Sequence, residues 1–310
     1  MKPFKNILYV TEGTVDQASA LERAVSLAVS NQSKLTIIDV IPPVAEDYRE
    51  DTMTCHMNVL ESLIEPHRNR LKIDFDIVMG TPFLEAIRAV LRQGYDLVIK
   101  VAENPGFLKR LFGSNDMHLL RKCPCPVWIM KPPEKSKYSS ILAAVDFDPV
   151  TPAAADQVLN REILELASLL ALTDSASLHI VHAWEAFAER TMLSRGDISL
   201  ESIFAYAGRQ QSLHQKGLDQ LGEQMRDWIG TDAYDRLSPH FHLSKGPAKT
   251  MIAIVAEGLR ADLVVMGTIA RTGISGLIIG NTAESILDQL TCSVLAIKPP
   301  GFSTPVKLAM

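Results

Sequence analysis

The chain has 310 residues, 47% of them apolar and 22% charged. That composition suits roughly two globular domains and excludes disorder. The formal net charge of −5 offers no basic field for nucleic acid, and the absence of any run of about 18 apolar residues removes a transmembrane helix from the expectations.

In chain order, the opening MKPFKNILYV is too short and too polar for a secretory leader and reads as a charged lead-in to a strand. A cytoplasmic location is therefore expected. Residues 6–11 form an apolar run of strand length. Residues 17–30 carry helical periodicity and stop at Asn31-Gln32-Ser33. Residues 34–40 read as the next strand, 50–70 as a helix and 73–79 as a third strand. Gly80-Thr81-Pro82 opens a helix over 83–93, with proline in its first turn. Residues 96–101 and 127–130 supply strands four and five. Short apolar strands alternating with helices imply a parallel sheet covered on both faces.

The pattern then repeats. Asn6-Ile7-Leu8 matches Ser140-Ile141-Leu142, Asp96-Leu97-Val98-Ile99 matches Asp262-Leu263-Val264-Val265, and Lys131-Pro132-Pro133 matches Lys298-Pro299-Pro300. Leu21 to Asp39 follows Leu164 to His182 without a gap. The expected organisation is α/β, with two tandem Rossmann-like doubly wound units, each built on a five-stranded parallel sheet. The domains are 1–135 and 138–310, joined by a polar linker around Glu134-Lys135-Ser136-Lys137. The second copy carries two additions, 147–160 and 184–236, the latter with a helix over about 200–228. Both leave from carboxyl ends of strands, where such folds bind ligands.

The stretch Gly267 to Glu284, GTIARTGISGLIIGNTAE, follows the strand 262–266 and enters a helix. Glycines permit close approach to an anion, and a helix N-terminus near Asn281 and Thr282 offers N–H donors and the positive end of its dipole. No Gly-Lys-Ser/Thr follows, so it is not a Walker loop, and the G-x-G-x-x-G dinucleotide pattern is also missing. A plain glycine-rich connection is the rival reading.

The tandem repeat, the strand Ile141 to Asp146, the glycine stretch and the strand closing before Lys298-Pro299 resemble the universal stress protein family. The tandem layout, with His118 to Pro124 and Thr304-Pro305-Val306, is similar to its UspE-type members. That resemblance implies nucleotide binding through G-x2-G-x9-G-[ST], which falls here on Gly267, Ala270, Gly280 and Asn281. Ala270 and Asn281 depart from the pattern, and Thr282 stands ready to substitute by a one-residue shift. The resemblance also places Asp146 at a ribose or adenine contact, and Ala183 and Met266 along the base pocket. It implies ATP, with magnesium as companion, bound weakly or in altered form. It further implies pairing of the two copies through their fifth strands as a pseudo-dimer, with a homodimer also open. Protein partners are unknown, and neither nucleic acid nor membrane is expected.

The first copy departs further. Thr11 is taken as the counterpart of Asp146, Lys100 to Asn104 replaces the early glycines, and Gly113-Ser114 survives in place of Gly280-Asn281. Glu103 would repel phosphate, so no ATP is expected there. Phe107 to Phe112, apolar and basic, is read as packing within the tandem pair, with a partner- or lipid-facing patch as the alternative. His240 and His242 share one strand face, with His179 and His182 on the neighbouring strand. Without carboxylate or thiol at ligand spacing they read as surface or sheet-edge histidines, and no metal site is expected. Cys123-Pro124-Cys125 lacks a second cysteine pair and reads as two small residues entering a buried strand. No nucleophile elbow or acid–base dyad stands out, so catalysis is expected to be absent, or a slow ATPase at most. The alternative is an interaction scaffold that has lost nucleotide binding.

Overall fold

The structure is a computed structural model that describes residues 4–103, 113–195, 198–268 and 280–308. It divides into two compact units, Ser139–Gly267 and a discontinuous one formed by Lys2–Tyr138 with Thr268–Met310.

In the discontinuous unit, β1 (Asn6–Val10), α1 (Ala18–Asn31), β2 (Lys34–Ile41), α2 (Arg49–Ile64) and β3 (Ile73–Met79) follow in turn. Next come α3 (Pro82–Gln93), β4 (Leu97–Val101), α4 (Ser114–Lys122) and β5 (Val127–Met130). The strands lie parallel in the order β3-β2-β1-β4-β5. The order reverses between β1 and β4, which is where doubly wound sheets place a ligand. β1, β4 and β5 are buried almost throughout, as strands covered on both faces must be. Pro82 starts α3 with its φ already set for a helix, and Gly94 ends it at φ 65°, a left-handed conformation that only glycine adopts cheaply.

In the unit Ser139–Gly267, β6 (Ser140–Val145), α5 (Ala154–Asp174) and β7 (Ser177–Trp184) are followed by α6 (Phe187–Arg195), α7 (Leu200–Ile229) and α8 (Thr231–Leu237). Then come β8 (His240–Lys245), α9 (Ala248–Gly258) and β9 (Leu263–Gly267). The strands are parallel in the order β8-β7-β6-β9. The long helix expected over 200–228 is α7, capped by Ser199, whose Oγ accepts the Ser202 N–H. It packs on α5, β7 and β8.

The last two elements, α10 (Asn281–Leu287) and β10 (Ser293–Ile297), belong to the discontinuous unit. There β10 runs antiparallel to β5, with Val294, Leu295 and Ala296 opposite Ile129, Trp128 and Val127. The Ser293 hydroxyl donates to buried Glu134 at 2.7 Å and accepts the Lys131 N–H at 2.9 Å, so polar groups at the strand ends are satisfied.

Candidate functional site

The two copies place equivalent backbone at the carboxyl ends of their central strands, and the sheet register fixes which residues correspond. Ile7 pairs with Leu97 of β4 as Ile141 pairs with Leu263 of β9. Counting forward, the counterpart of Asp146 is Glu12. The expectation that Thr11 stands there is corrected by one residue, and the physical reason is the period of the strand. A slip of one would turn every side chain of β1 to the opposite face. A second geometry agrees. The Glu12 N–H donates to Gln17 Oε1 at 2.8 Å, just as the Asp146 N–H donates to Asn160 Oδ1 at 3.2 Å.

The first copy has therefore kept its acid, and uses it internally. Lys100, at the end of β4, is fully buried. Its Nζ donates to Glu12 Oε2 and Asp116 Oδ1, both at 2.8 Å, and to the Val101 carbonyl at 3.1 Å. Asp116 Oδ2 accepts the N–H groups of Glu103 at 2.8 Å and Gly113 at 3.0 Å. Glu103 in turn accepts from the Asn115 N–H at 3.2 Å and its side-chain amide at 2.6 Å. The helix N-terminus at Gly113-Ser114 thus holds two of the protein's own carboxylates. A β-carbon on Gly113 would fall 1.8 Å from Glu103 Oε2, so glycine is required for this closure. Burial works against the Lys100 ammonium, but Asp116 and Glu12 outweigh it and raise its pKa. Burial also works against the Glu12 carboxylate, yet Lys100 and Thr14 hold its pKa below the usual value. For the deeper Asp116, burial prevails over Lys100 and the pKa goes up.

In the second copy these charges are gone. The sheet register sets Met266 at the place of Lys100, and the match of Gly113-Ser114 to Gly280-Asn281 sets Ala283 at the place of Asp116. Within Ser139–Gly267, Asp146 is exposed at the end of β6, its backbone clamped by buried Asn160, whose amide also donates to the Asp146 carbonyl at 2.9 Å. Ala183 is half-buried on β7 and Met266 buried on β9. Gly267 lies under Leu159 of α5, and a β-carbon there would stand 2.8 Å from Leu159 Cδ2. Within the discontinuous unit, Gly280 is the extended N-cap of α10, and its N–H donates to the Thr268 carbonyl at 3.1 Å. Asn281 and Thr282 follow, exposed. Ala270, with the rest of 269–279, lies outside the described residues, as do Asn104 and the segment Phe107 to Phe112.

Sequence reasoning did not find the aromatic and imidazole group behind Asp146. Phe147 stacks on His182 with centroids 3.9 Å apart, and His182 Nε2 lies 2.8 Å from His214 Nδ1 on α7. Trp184 stacks on the same His214 at 5.6 Å. Gly217 admits the Phe147 ring, since a β-carbon there would meet it at 2.4 Å. The addition 184–236 is thus bolted to the residue after Asp146. A glycine inside an otherwise regular helix was the available signal.

On the opposite side of β7, His179 stacks on His240 at 5.0 Å, and its Nδ1 lies 3.0 Å from His242 Nε2. Burial and the neighbouring imidazoles lower the pKa of both His179 and His242. Among the described residues, no group of three histidine, cysteine or acidic side chains is arranged to hold a metal ion. Nor, among them, is any helix long and apolar enough to cross a membrane.

Models of the universal stress protein family match residues 3–131 and 137–298. The chain belongs to that family. It is 31% identical to universal stress protein E of Escherichia coli K12, over 99% of this chain and 98% of the relative. It is 27% identical to the protein of that name from Photorhabdus laumondii, over 100% and 99%. A crystal structure of a functionally unknown protein from Pseudomonas aeruginosa covers 96% of this chain, and 94% of its own, at TM-score 0.71 and 28% identity. A universal stress protein from Archaeoglobus fulgidus, 19% identical over 94% of this chain and 98% of its own, shares the fold at TM-score 0.64. The tandem, Rossmann-like architecture read from the repeat is therefore that of the family.

Proposed function

We propose that this tandem universal stress protein is a cytoplasmic stress-response protein that binds an adenine nucleotide in its second copy and does not turn it over rapidly. One contrast carries the reading. The charged residues that occupy the loop region of the first copy, Lys100 and Asp116, are replaced by Met266 and Ala283 in the second. Asp146 would take the ribose or base, beside Ala183 and Met266. The backbone of Gly267 and the N–H groups at Gly280, Asn281 and Thr282 would take the phosphates, because the first N–H groups of a helix have no intrahelical acceptor. Magnesium would accompany the phosphates of ATP. The first copy would bind no nucleotide, since Glu103 and Asp116 already occupy its helix N-terminus.

Titration of the full chain with labelled ATP tests this, with Gly280→Arg as the disabled control. Saturable binding that the variant loses is expected, and no binding at millimolar ATP would end the reading. Phosphate release is expected to match buffer. Leu159 over Gly267 favours a second reading, a scaffold whose fold is kept for pairing and partner recognition. On that reading Leu159→Ala and Ala270→Gly each create binding that the natural chain lacks.

A further inference from the structure

Cys123-Pro124-Cys125 joins α4 to β5, and the proline holds Cys123 in an extended conformation, φ −68° and ψ 131°. That geometry brings the two sulfurs to 3.6 Å, although both side chains are buried. Lys298, directly after β10, is buried in the same region with 5% of its surface exposed. Its Nζ donates to Thr268 Oγ1 at 2.6 Å and to the Leu120 carbonyl in the last turn of α4. Burial lowers its pKa to about 8, and the two cysteines act in the other direction. Burial likewise opposes the Cys123 thiolate, but the hydrogen bond from Cys125 and the Lys298 ammonium leave it below the usual thiol value. Cys125, donating that hydrogen bond and buried, is pushed up. The paired sulfurs with a buried ammonium close enough to act on Cys123 form an arrangement from which a dithiol can close to a disulfide.

We propose that Cys123 and Cys125 are a reversible dithiol–disulfide pair oxidised by a hydroperoxide, with Lys298 as its charge and proton partner. The Cys123 thiolate attacks a peroxide oxygen and the O–O bond breaks. Cys123 becomes a sulfenic acid, and the departing hydroxide takes a proton from Lys298 and leaves as water. Cys125 gives its proton to Lys298 and attacks the Cys123 sulfur. The S–S bond forms, the S–O bond breaks, and Lys298 protonates the second hydroxide to water. Two thiols and one hydrogen peroxide become one disulfide and two waters, the sulfurs supplying both electrons. The sulfurs must close to about 2.05 Å, roughly 1.5 Å nearer than they stand. Lys298 loses its thiolate partner in the process and keeps Thr268, the residue that leads into the glycine-rich stretch.

The test uses the reduced full chain without nucleotide, so its outcome is independent of the nucleotide reading. Hydrogen peroxide is added, thiols are blocked by alkylation, and the tryptic peptide 123–135 is weighed. It carries both cysteines, since no lysine or arginine lies between them, and it runs to Lys135 because Lys131 precedes proline and is not cut. The expected product is an unalkylated peptide lighter by two hydrogens, restored to double alkylation by dithiothreitol, at doses that leave exposed Cys55 alkylated. Cys125→Ser should stop at a sulfenic acid on Cys123 that dimedone captures. Lys298→Met should slow disulfide formation about tenfold through the lost thiolate fraction, and Lys298→Arg should restore the charge but not the proton transfers, so that its rate falls between the two. A 123–135 peptide that stays doubly alkylated while Cys55 is oxidised overturns the proposal, and this arm needs no variant to fold.

Discussion

The carboxyl ends of β4 and β9 stand at equivalent places in the two copies and are built in opposite ways. After β4, Lys100 gathers Glu12 and Asp116 into a closed, buried ion cluster. After β9, the equivalent places hold Met266 and Ala283, and the acid at the end of the partner strand, Asp146, faces solvent. Supplying carboxylates from within satisfies the same N–H groups that a phosphate would. The loss of glycines is the visible part of that change, and the gain of a lysine to neutralise the new acids is the part that stabilises it.

The largest expected effect comes from removing that lysine. Lys100→Met should cost about 3–5 kcal/mol in urea unfolding, because it leaves buried carboxylates without a counter-charge. Adding Asp116→Ala, which recreates the second copy's Met266 and Ala283 pair, should recover part of the loss; no recovery would show that the cluster is not the reason. Next, Gly280→Arg should weaken ATP binding at least about tenfold, or 1.4 kcal/mol, in an equilibrium titration. Gly113→Arg, which evicts Glu103, should lower stability and leave ATP affinity unchanged. Gly217→Val on α7 should cost roughly 1–3 kcal/mol by overpacking against Phe147, read from the shift in denaturant midpoint.

The smallest effect concerns pH. His179 and His242 stand where the first copy has Thr36 and Asp76, by the registers of β2 with β3 and β7 with β8. Their folded pKa values lie below the unfolded value of 6.5, so the unfolded chain binds protons first. The stability these histidines contribute is complete above pH 6.5 and declines as pH falls below it. His242→Gln should flatten the unfolding free energy measured across that interval.

Much of this was legible in the sequence. The repeat, the strand and helix spans, the proline start of α3 and the long α7 all follow from periodicity and turn chemistry. The site was less so, for identifiable reasons. Thr11 and Glu12 both stand at the polar end of the apolar run of β1; the match of Asn6-Ile7-Leu8 to Ser140-Ile141-Leu142, carried forward without a gap, already favours Glu12, and the pairing with β4 fixes it. Lys100 reads as an interruption in a buried strand until Asp116, 16 residues on in the next helix, is seen beside it. Phe147 and His214 belong to segments without a counterpart in the first copy, so the repeat could not point to them.

The placement of β10 has a consequence for synthesis. The unit that holds the first residues of the chain also holds Thr268–Met310, so its last strand leaves the ribosome after every other strand has been made. Until then β5 presents an unpaired, wholly apolar edge, Val127 to Met130, in a nascent chain where exposed edges invite mispairing. The half translated first is the half completed last, and a ribosome that stalls before Ser293 would leave β5 of the opening domain without its strand partner on that edge.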